Sequence, residues 1–213
     1  RGRGGPMRPI RVDVWSDVQC VWCHIAAPRI EKAVARHPGP IEVVHHSFLL
    51  TPNAPREVDR DAAMRRHAAD PERMRRIMAQ LRDLAAAEGI AYEPDLTRPT
   101  NSHRALELLH EADAVGRRPE LARRLSHAYF GEGRHIGLVS ELVELTADVG
   151  LDPAVAAAAL ADGRHAAAVD ADDAQARRLG ARGVPFVVVS GTVALAGAQS
   201  VEQYAAAFAH AAE

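Results

Sequence analysis

The chain contains two cysteines and no more, three positions apart in Asp17-Val-Gln-Cys20-Val-Trp-Cys23-His24. A disulfide between them would close too small a loop to stabilise a fold appreciably, and two cysteines do not make a structural framework. The pair is better suited to act as a reactant. It falls just after a predicted strand, where a predicted helix begins. Backbone N–H groups at such a helix start have no intrahelical partner and carry partial positive charge, which favours a thiolate. Cys20 is therefore the candidate nucleophile. Cys23, one turn further along the same face, can attack a mixed disulfide and release its substrate. Cys20 is expected to be accessible with the lower pKa, and Cys23 buried. Trp22 and His24 flank the second thiol, and a charged His24 imidazolium would favour the thiolate further.

Other chemistries fit the same letters less well. A structural zinc site needs two more ligands, yet there is no second C-x-x-C and no histidine pair at finger spacing. His45 and His46 are adjacent in a predicted strand and point to opposite faces. Cys20-Val-Trp-Cys23-His24 also matches the pattern for covalent haem, with His24 as an axial ligand. The preceding strand, the lack of an export signal and the few methionines argue against that reading. No metal is expected.

A second position bears on the pair. Gly183-Val184-Pro185-Phe186 opens a run that otherwise reads as a central strand. Proline cannot donate to a ladder, so it sits either trans at a first strand position or in a special arrangement such as a cis bond. A cis Val184–Pro185 peptide facing the cysteines would leave the Val184 backbone free to pair with an extended substrate. Val184 and Pro185 are therefore candidate substrate-binding residues, with Trp22 and His24.

The elements around these residues follow from periodicity. Ile10–Trp15 alternates apolar and polar residues and reads as a strand. Ile25, Ile30 and Val34 have helical spacing, and His37-Pro-Gly-Pro40 ends that helix. Ile41–Phe48 is a second strand. The middle of the chain reads as helical throughout, with helices expected near 71–88, 102–115, 119–130, 140–149, 153–162 and 166–179. Asp70-Pro71 and Asp152-Pro153 are start signals. Strand character returns over Val184–Val189, Ser190-Gly191 reads as a two-residue hairpin into Thr192–Ala196, and Ser200-Val-Glu-Gln203 is a capping box opening a final helix.

Composition narrows the partners. The formal net charge is −2 and Lys32 is the only lysine, so arginine supplies nearly all the positive charge. No global basic field draws the chain to nucleic acid or anionic lipid. No apolar run approaches a membrane span. Arg1–Pro9 has positive charge without a following apolar core, so a cytoplasmic location is expected, with Met7 as the natural start.

The chain resembles the DsbA-like branch of the thioredoxin superfamily, specifically the FrnE-like proteins. The resemblance rests on Trp15-Ser-Asp-Val18, Cys20-Val-Trp-Cys23, Arg98-Pro99 to Leu108, Tyr129-Phe130 with Gly133-Arg134 and Ile136, Gly183-Val-Pro-Phe186 and Gly197-Ala-Gln199, and spans about Ile10 to Phe208. It implies an α/β thioredoxin fold (β-α-β … β-β-α) carrying a large all-helical insertion. The thioredoxin-like domain would comprise residues 8–55 and 167–213, and the insertion residues 56–166, lying over the active-site end of the sheet and shaping a groove. The resemblance also implies Cys20 as nucleophile, Cys23 as resolving thiol and Pro185 as the cis-proline. Val21 stands where the family usually has proline, and His24 where an aromatic is common; both bear on redox poise.

Two functions are in view. One is a thiol–disulfide oxidoreductase acting on protein or small-molecule disulfides, with a reducing or oxidising partner and no cofactor beyond its own disulfide. The other is a glutathione-dependent isomerase or transferase of the kappa or 2-hydroxychromene-2-carboxylate isomerase class, which needs a single serine or cysteine. Glutathione would be a co-substrate there. The presence of both Cys20 and Cys23 favours the first.

Overall fold

The computed structural model describes residues 8–55 and 70–212. In chain order it contains β1 (Ile10–Ser16), α1 (Val21–Arg36), β2 (Ile41–Ser47), α2 (Pro71–Ala87), α3 (His103–Asp113), α4 (Arg118–Gly131), α5 (Val139–Ala147), α6 (Pro153–Asp162), α7 (Ala166–Arg178), β3 (Phe186–Val189), β4 (Val193–Ala196) and α8 (Val201–His210). The strands form one sheet in the order β2-β1-β3-β4. β1 runs parallel to β2, with Ile10 opposite Ile41 and Ser16 opposite Ser47. β3 is antiparallel to β1, pairing Trp15 with Phe186, and β4 is antiparallel to β3.

Alternation along β1 sorts its side chains between two cores. Ile10, Val12 and Val14 join Val187 and Val189 under α1 and α8, where Tyr204 and Phe208 complete the cluster. Trp15 points the other way and packs with Phe186, Val188, Phe48 and both cysteines. A third and larger cluster fills the helical block, and Val18 and Ile25 enter it from the β1–α1 segment. Burial of this kind supplies most of the stability at about 25 cal/mol per Å² of apolar surface.

The local signals act through identifiable bonds. Asp70 caps α2 by accepting from the Arg73 N–H at 2.9 Å, and Asp152 accepts from Ala154 N–H at 2.8 Å. Ser200 and Gln203 form the reciprocal capping box of α8. Ser190 and Gly191 both have positive φ, at 48° and 71°, as a tight antiparallel turn requires. Glu88 at the end of α2 receives Arg29 at 2.6 Å and Lys32 at 2.7 Å, pinning α2 to α1.

Several expectations need correction. The middle is not helical throughout, because residues 90–102 form a loop and turns between α2 and α3. α3 ends at Asp113, ahead of Gly116 with its φ of 67°. β3 begins at Phe186 rather than Val184. The Pro185 carbonyl still takes the Gly197 N–H at 2.8 Å, so pairing toward β4 starts one residue before the strand proper. The part of the proposed insertion over residues 56–69 lies outside the described residues.

Candidate functional site

β1 delivers the chain to the site. Asp17 to Gln19 make a turn in which the Cys20 N–H reaches the Asp17 carbonyl at 3.1 Å. Cys20 then occupies the N-cap of α1 with extended backbone, φ −94° and ψ 111°. Its own side chain stands where the unpaired N–H groups of the first turn point. Both thiols are free.

The two thiols are pulled apart electrostatically. A hydrogen bond from Cys23 lowers the Cys20 pKa below the ordinary value of 9.0, and the Cys23 and Trp22 backbone N–H groups add to that effect. Burial and the Asp17 charge oppose it. Cys23 moves well above 9.0, first through burial and then through its hydrogen bond with Cys20 and that thiol's charge. The expected order of acidity holds. The expected accessibility of Cys20 does not, because it is only 5% exposed, whereas Cys23 is buried as expected at 8%. Cys20 is covered by Val184, whose carbonyl accepts the thiol at 3.4 Å, and by the cluster around Trp15 and Phe186.

Val184–Pro185 is a cis peptide, and the Val184 side belongs to the cysteine cluster. Trp22 is 41% exposed beside the pair. His24 departs from the sequence-based expectation. Its ring is buried, stacks on Phe130 with centroids 5.5 Å apart, and has its pKa lowered to about 4 by burial and then by His127. A neutral imidazole supplies no charge to stabilise a thiolate, so that part of the reading is corrected.

Sequence reasoning passed over Asp17. Its carboxylate is 1% exposed and accepts from Leu50 N–H at 2.9 Å, Gln19 N–H at 3.1 Å and Ser102 O–H at 2.9 Å. Burial raises its pKa despite these donors. An acidic residue three positions ahead of Cys20, in the strand-to-helix turn, was the available signal. Its partners Leu50 and Ser102 come from distant segments, which no local pattern reveals.

Beyond the thiols, α1, β1, β2 and α4 enclose a cavity of about 320 Å³ whose wall includes Cys23, His24 and Pro185. The helical block thus does shape a groove against the sheet. Among the described residues no cluster of three or more His, Cys, Asp or Glu side chains is arranged to hold a metal ion. No helix among them is long and apolar enough to cross a membrane.

The model of the DSBA-like thioredoxin domain family matches residues 11–209. No curated protein sequence matches the chain significantly. Among solved structures, a probable DsbA oxidoreductase from Streptomyces coelicolor is 34% identical, covering 95% of this chain and 89% of that one with a TM-score of 0.88. A 2-hydroxychromene-2-carboxylate isomerase shares the fold at 16% identity and TM-score 0.71, covering 94% of this chain and 95% of its own. The cytosolic disulfide reductase DsbM from Pseudomonas aeruginosa shares it at 22% identity and TM-score 0.63, covering 95% of each chain.

Proposed function

The chain belongs to the DSBA-like thioredoxin domain family, and from that premise we propose that it catalyses thiol–disulfide exchange, with Cys20 as nucleophile and Cys23 as resolving thiol. The observation that carries this reading is the placement of the pair: Cys20 at the N-cap of α1 with its thiol 3.4 Å from the Val184 carbonyl, and Cys23 in the first turn, packed in the same cluster.

The Cys20 thiolate attacks one sulfur of a substrate disulfide, forming a mixed disulfide and releasing the other sulfur as a thiolate, which takes up a proton. Cys23 then loses its proton and attacks the Cys20 sulfur. The bond to substrate breaks, the second substrate thiol departs, and the Cys20–Cys23 disulfide remains. The same steps in reverse pass that disulfide to a substrate dithiol. In the resting dithiol the Cys20 S–H donates to the Val184 carbonyl. A substrate strand pairing with the Val184 backbone would take over that position and bring its sulfur to Cys20. Trp22, exposed beside the pair, offers an apolar surface to the incoming chain.

Substrates are disulfides of proteins or small molecules, and we place the activity in the cytoplasm. The glutathione-dependent isomerase reading requires one thiol or hydroxyl and gives Cys23 no task. Insulin reduction by dithiothreitol separates the two readings from glutathione conjugation of chlorodinitrobenzene. Accelerated insulin precipitation that disappears in Cys20→Ser, with no conjugation, supports the oxidoreductase. Conjugation that survives Cys23→Ser, with no insulin reduction, would overturn it.

A further inference from the structure

His46 of β2 is held from two sides by carboxylates. Its Nε2 lies 2.8 Å from Asp13 Oδ1 on β1, and its Nδ1 lies 3.1 Å from Asp172 Oδ1 on α7. A neutral imidazole has one N–H and one lone pair, whereas two carboxylates call for two donors. The geometry therefore asks for the doubly protonated, positively charged ring, on a side chain only 13% exposed. Burial works against that charge, yet the bonds to Asp172 and Asp13 raise the pKa above 6.5. The other charged groups nearby have partners of their own. Asp13 also takes Arg11 at 2.7 Å, and Asp172 also takes His110 of α3 at 3.3 Å and the Ser47 N–H at 2.8 Å. Asp173 receives the Leu49 N–H and Arg177. Arg118 of α4, paired with Asp113, reaches the Ser47 hydroxyl at 3.2 Å. His45, the preceding residue on β2, projects to the opposite face of the sheet.

The face of the His46 ring lies flat on Trp15, with centroids 4.4 Å apart and planes 16° from parallel. A cation within about 6 Å of an indole face is attracted to it. Asp172 grips both members of this stack. Its carboxylate receives His46, and its backbone carbonyl receives the Trp15 indole N–H at 3.1 Å. Trp15 in turn meets Phe186, centroids 5.8 Å apart, and is paired with it across β1 and β3. Phe186 stands two residues after Val184, whose carbonyl accepts the Cys20 thiol at 3.4 Å. A short series of contacts thus runs from a charged ring to the backbone that covers the nucleophile.

Resting on the exchange reading above, we propose that His46 is a positioning residue of that site: its imidazolium, clamped between Asp13 and Asp172, holds the Trp15 indole and, through Phe186, the Val184 backbone in place for a substrate strand. Loss of the ring proton leaves one nitrogen as a lone pair facing a carboxylate, so that contact opens. The freed carboxylate falls back on Arg11, or on Ser47 and His110. The attraction to the indole is lost with the charge, and the backbone over Cys20 loses its support. Exchange per Cys20 thiolate therefore slows as pH climbs through the His46 titration, even as the thiolate becomes more abundant.

The test follows the reaction of the reduced protein with a peptide disulfide at stepped pH. Each second-order rate is divided by the Cys20 thiolate fraction, read from ultraviolet absorbance, and the imidazole proton resonances give the His46 midpoint. The normalised rate should fall about tenfold in a step at that midpoint, the order expected when reacting groups are displaced by a fraction of an ångström. His46→Arg keeps a cation with donors for both carboxylates, so it should keep the high rate and lose the step. His46→Leu should show the low rate at every pH; if it lacks the near-ultraviolet circular dichroism of the wild type, the neutral His46→Gln takes its place. An active wild type without the step, a step that persists in His46→Arg, or a folded His46→Arg confined to the low rate overturns the proposal alone. A wild type whose Cys20 ionises but never reacts with the disulfide overturns the exchange reading as well.

Discussion

The Cys20 thiol and the Val184 carbonyl lie 3.4 Å apart although 164 residues separate them in the chain. The contact exists because β1 and β3 are antiparallel neighbours with Trp15 opposite Phe186, so the end of β1 and the approach to β3 meet at the same edge of the sheet. The residues on either side of that meeting are the two cysteines and the Val184–Pro185 peptide. The opposed acidities of the thiols, and the groups that set them, follow from this one junction and its surroundings.

Alkylation should distinguish the thiols by pH. Iodoacetamide should modify Cys20 with a midpoint below the ordinary 9.0, and Cys23 only well above it, in line with their opposite shifts. Mass spectrometry of the modified peptide at stepped pH measures both. Equal reactivity across the range would show that the helix start and the Cys23 hydrogen bond do not separate them.

Asp17→Asn should lower the Cys20 pKa further, because the Asp17 charge works against the Cys20 thiolate. Thiolate absorbance in the ultraviolet follows the titration. The variant should also lose about 1–3 kcal/mol of stability, since the amide cannot accept from all of the Leu50, Gln19 and Ser102 donors. Ser102→Ala should destabilise by a smaller amount while leaving the charge in place. An upward shift of Cys20 in Asp17→Asn would contradict the electrostatic account.

His46 should make stability fall as pH rises above 6.5. Burial works against its charged form, but hydrogen bonds to Asp172 at 3.1 Å and Asp13 at 2.8 Å outweigh that and raise its pKa above 6.5. A raised folded pKa means the contribution is complete below 6.5 and is lost as pH climbs through the folded value. Asp172 is depressed, held down against burial by His110 and His46, so its share is present above the ordinary carboxylate range and lost only in strong acid. Urea unfolding at stepped pH should show this decline. His46→Leu should remove it and cost about 1–3 kcal/mol, since Asp13 and Asp172 each lose one partner while keeping Arg11 and the Ser47 N–H respectively.

His24 should impose the opposite limb. Its folded pKa of about 4, set by burial, lies below the unfolded value of 6.5. Stability from the neutral ring is therefore complete above 6.5 and lost as pH falls through the folded value, by at most about 3 kcal/mol. His24→Phe should flatten this acid limb in the same unfolding series. His45, also lowered to about 4 by burial and then by Arg118, would sustain whatever acid loss remains.

The parts of this picture that were legible in the sequence are those that local rules write. Alternation from Ile10 to Trp15, breakers at His37-Pro-Gly-Pro40, the Asp-Pro starts and the Ser200–Gln203 box depend on near neighbours, and each became the expected element. Pro185 was legible because a proline in a strand-like run breaks a rule that has few exceptions. Other features depend on three-dimensional burial. Cys20 reads as an exposed cap, yet Val184 and Phe186 arrive from the far end of the chain to cover it. His24 reads as a charged neighbour of the thiols, yet burial, with its ring stacked on Phe130, keeps it neutral. Asp17 was invisible because its donors come from Leu50 and Ser102, on segments brought in by packing.

The chain has two tryptophans, and the fold places them in contrasting surroundings. Trp15 is 1% exposed, stacked on His46 at 4.4 Å with its indole N–H on the Asp172 carbonyl at 3.1 Å. Trp22 sits between the cysteines and is 41% exposed. Their fluorescence should therefore separate by colour, with Trp15 emitting in the blue and Trp22 in the red. Protonation of the stacked imidazole should quench the blue component alone, and closing the disulfide should quench both, because Trp15 packs in the same cluster as the cysteines. A single emission spectrum thus reads two events at once, the charge on His46 and the oxidation state of Cys20 and Cys23, without any label added to the protein.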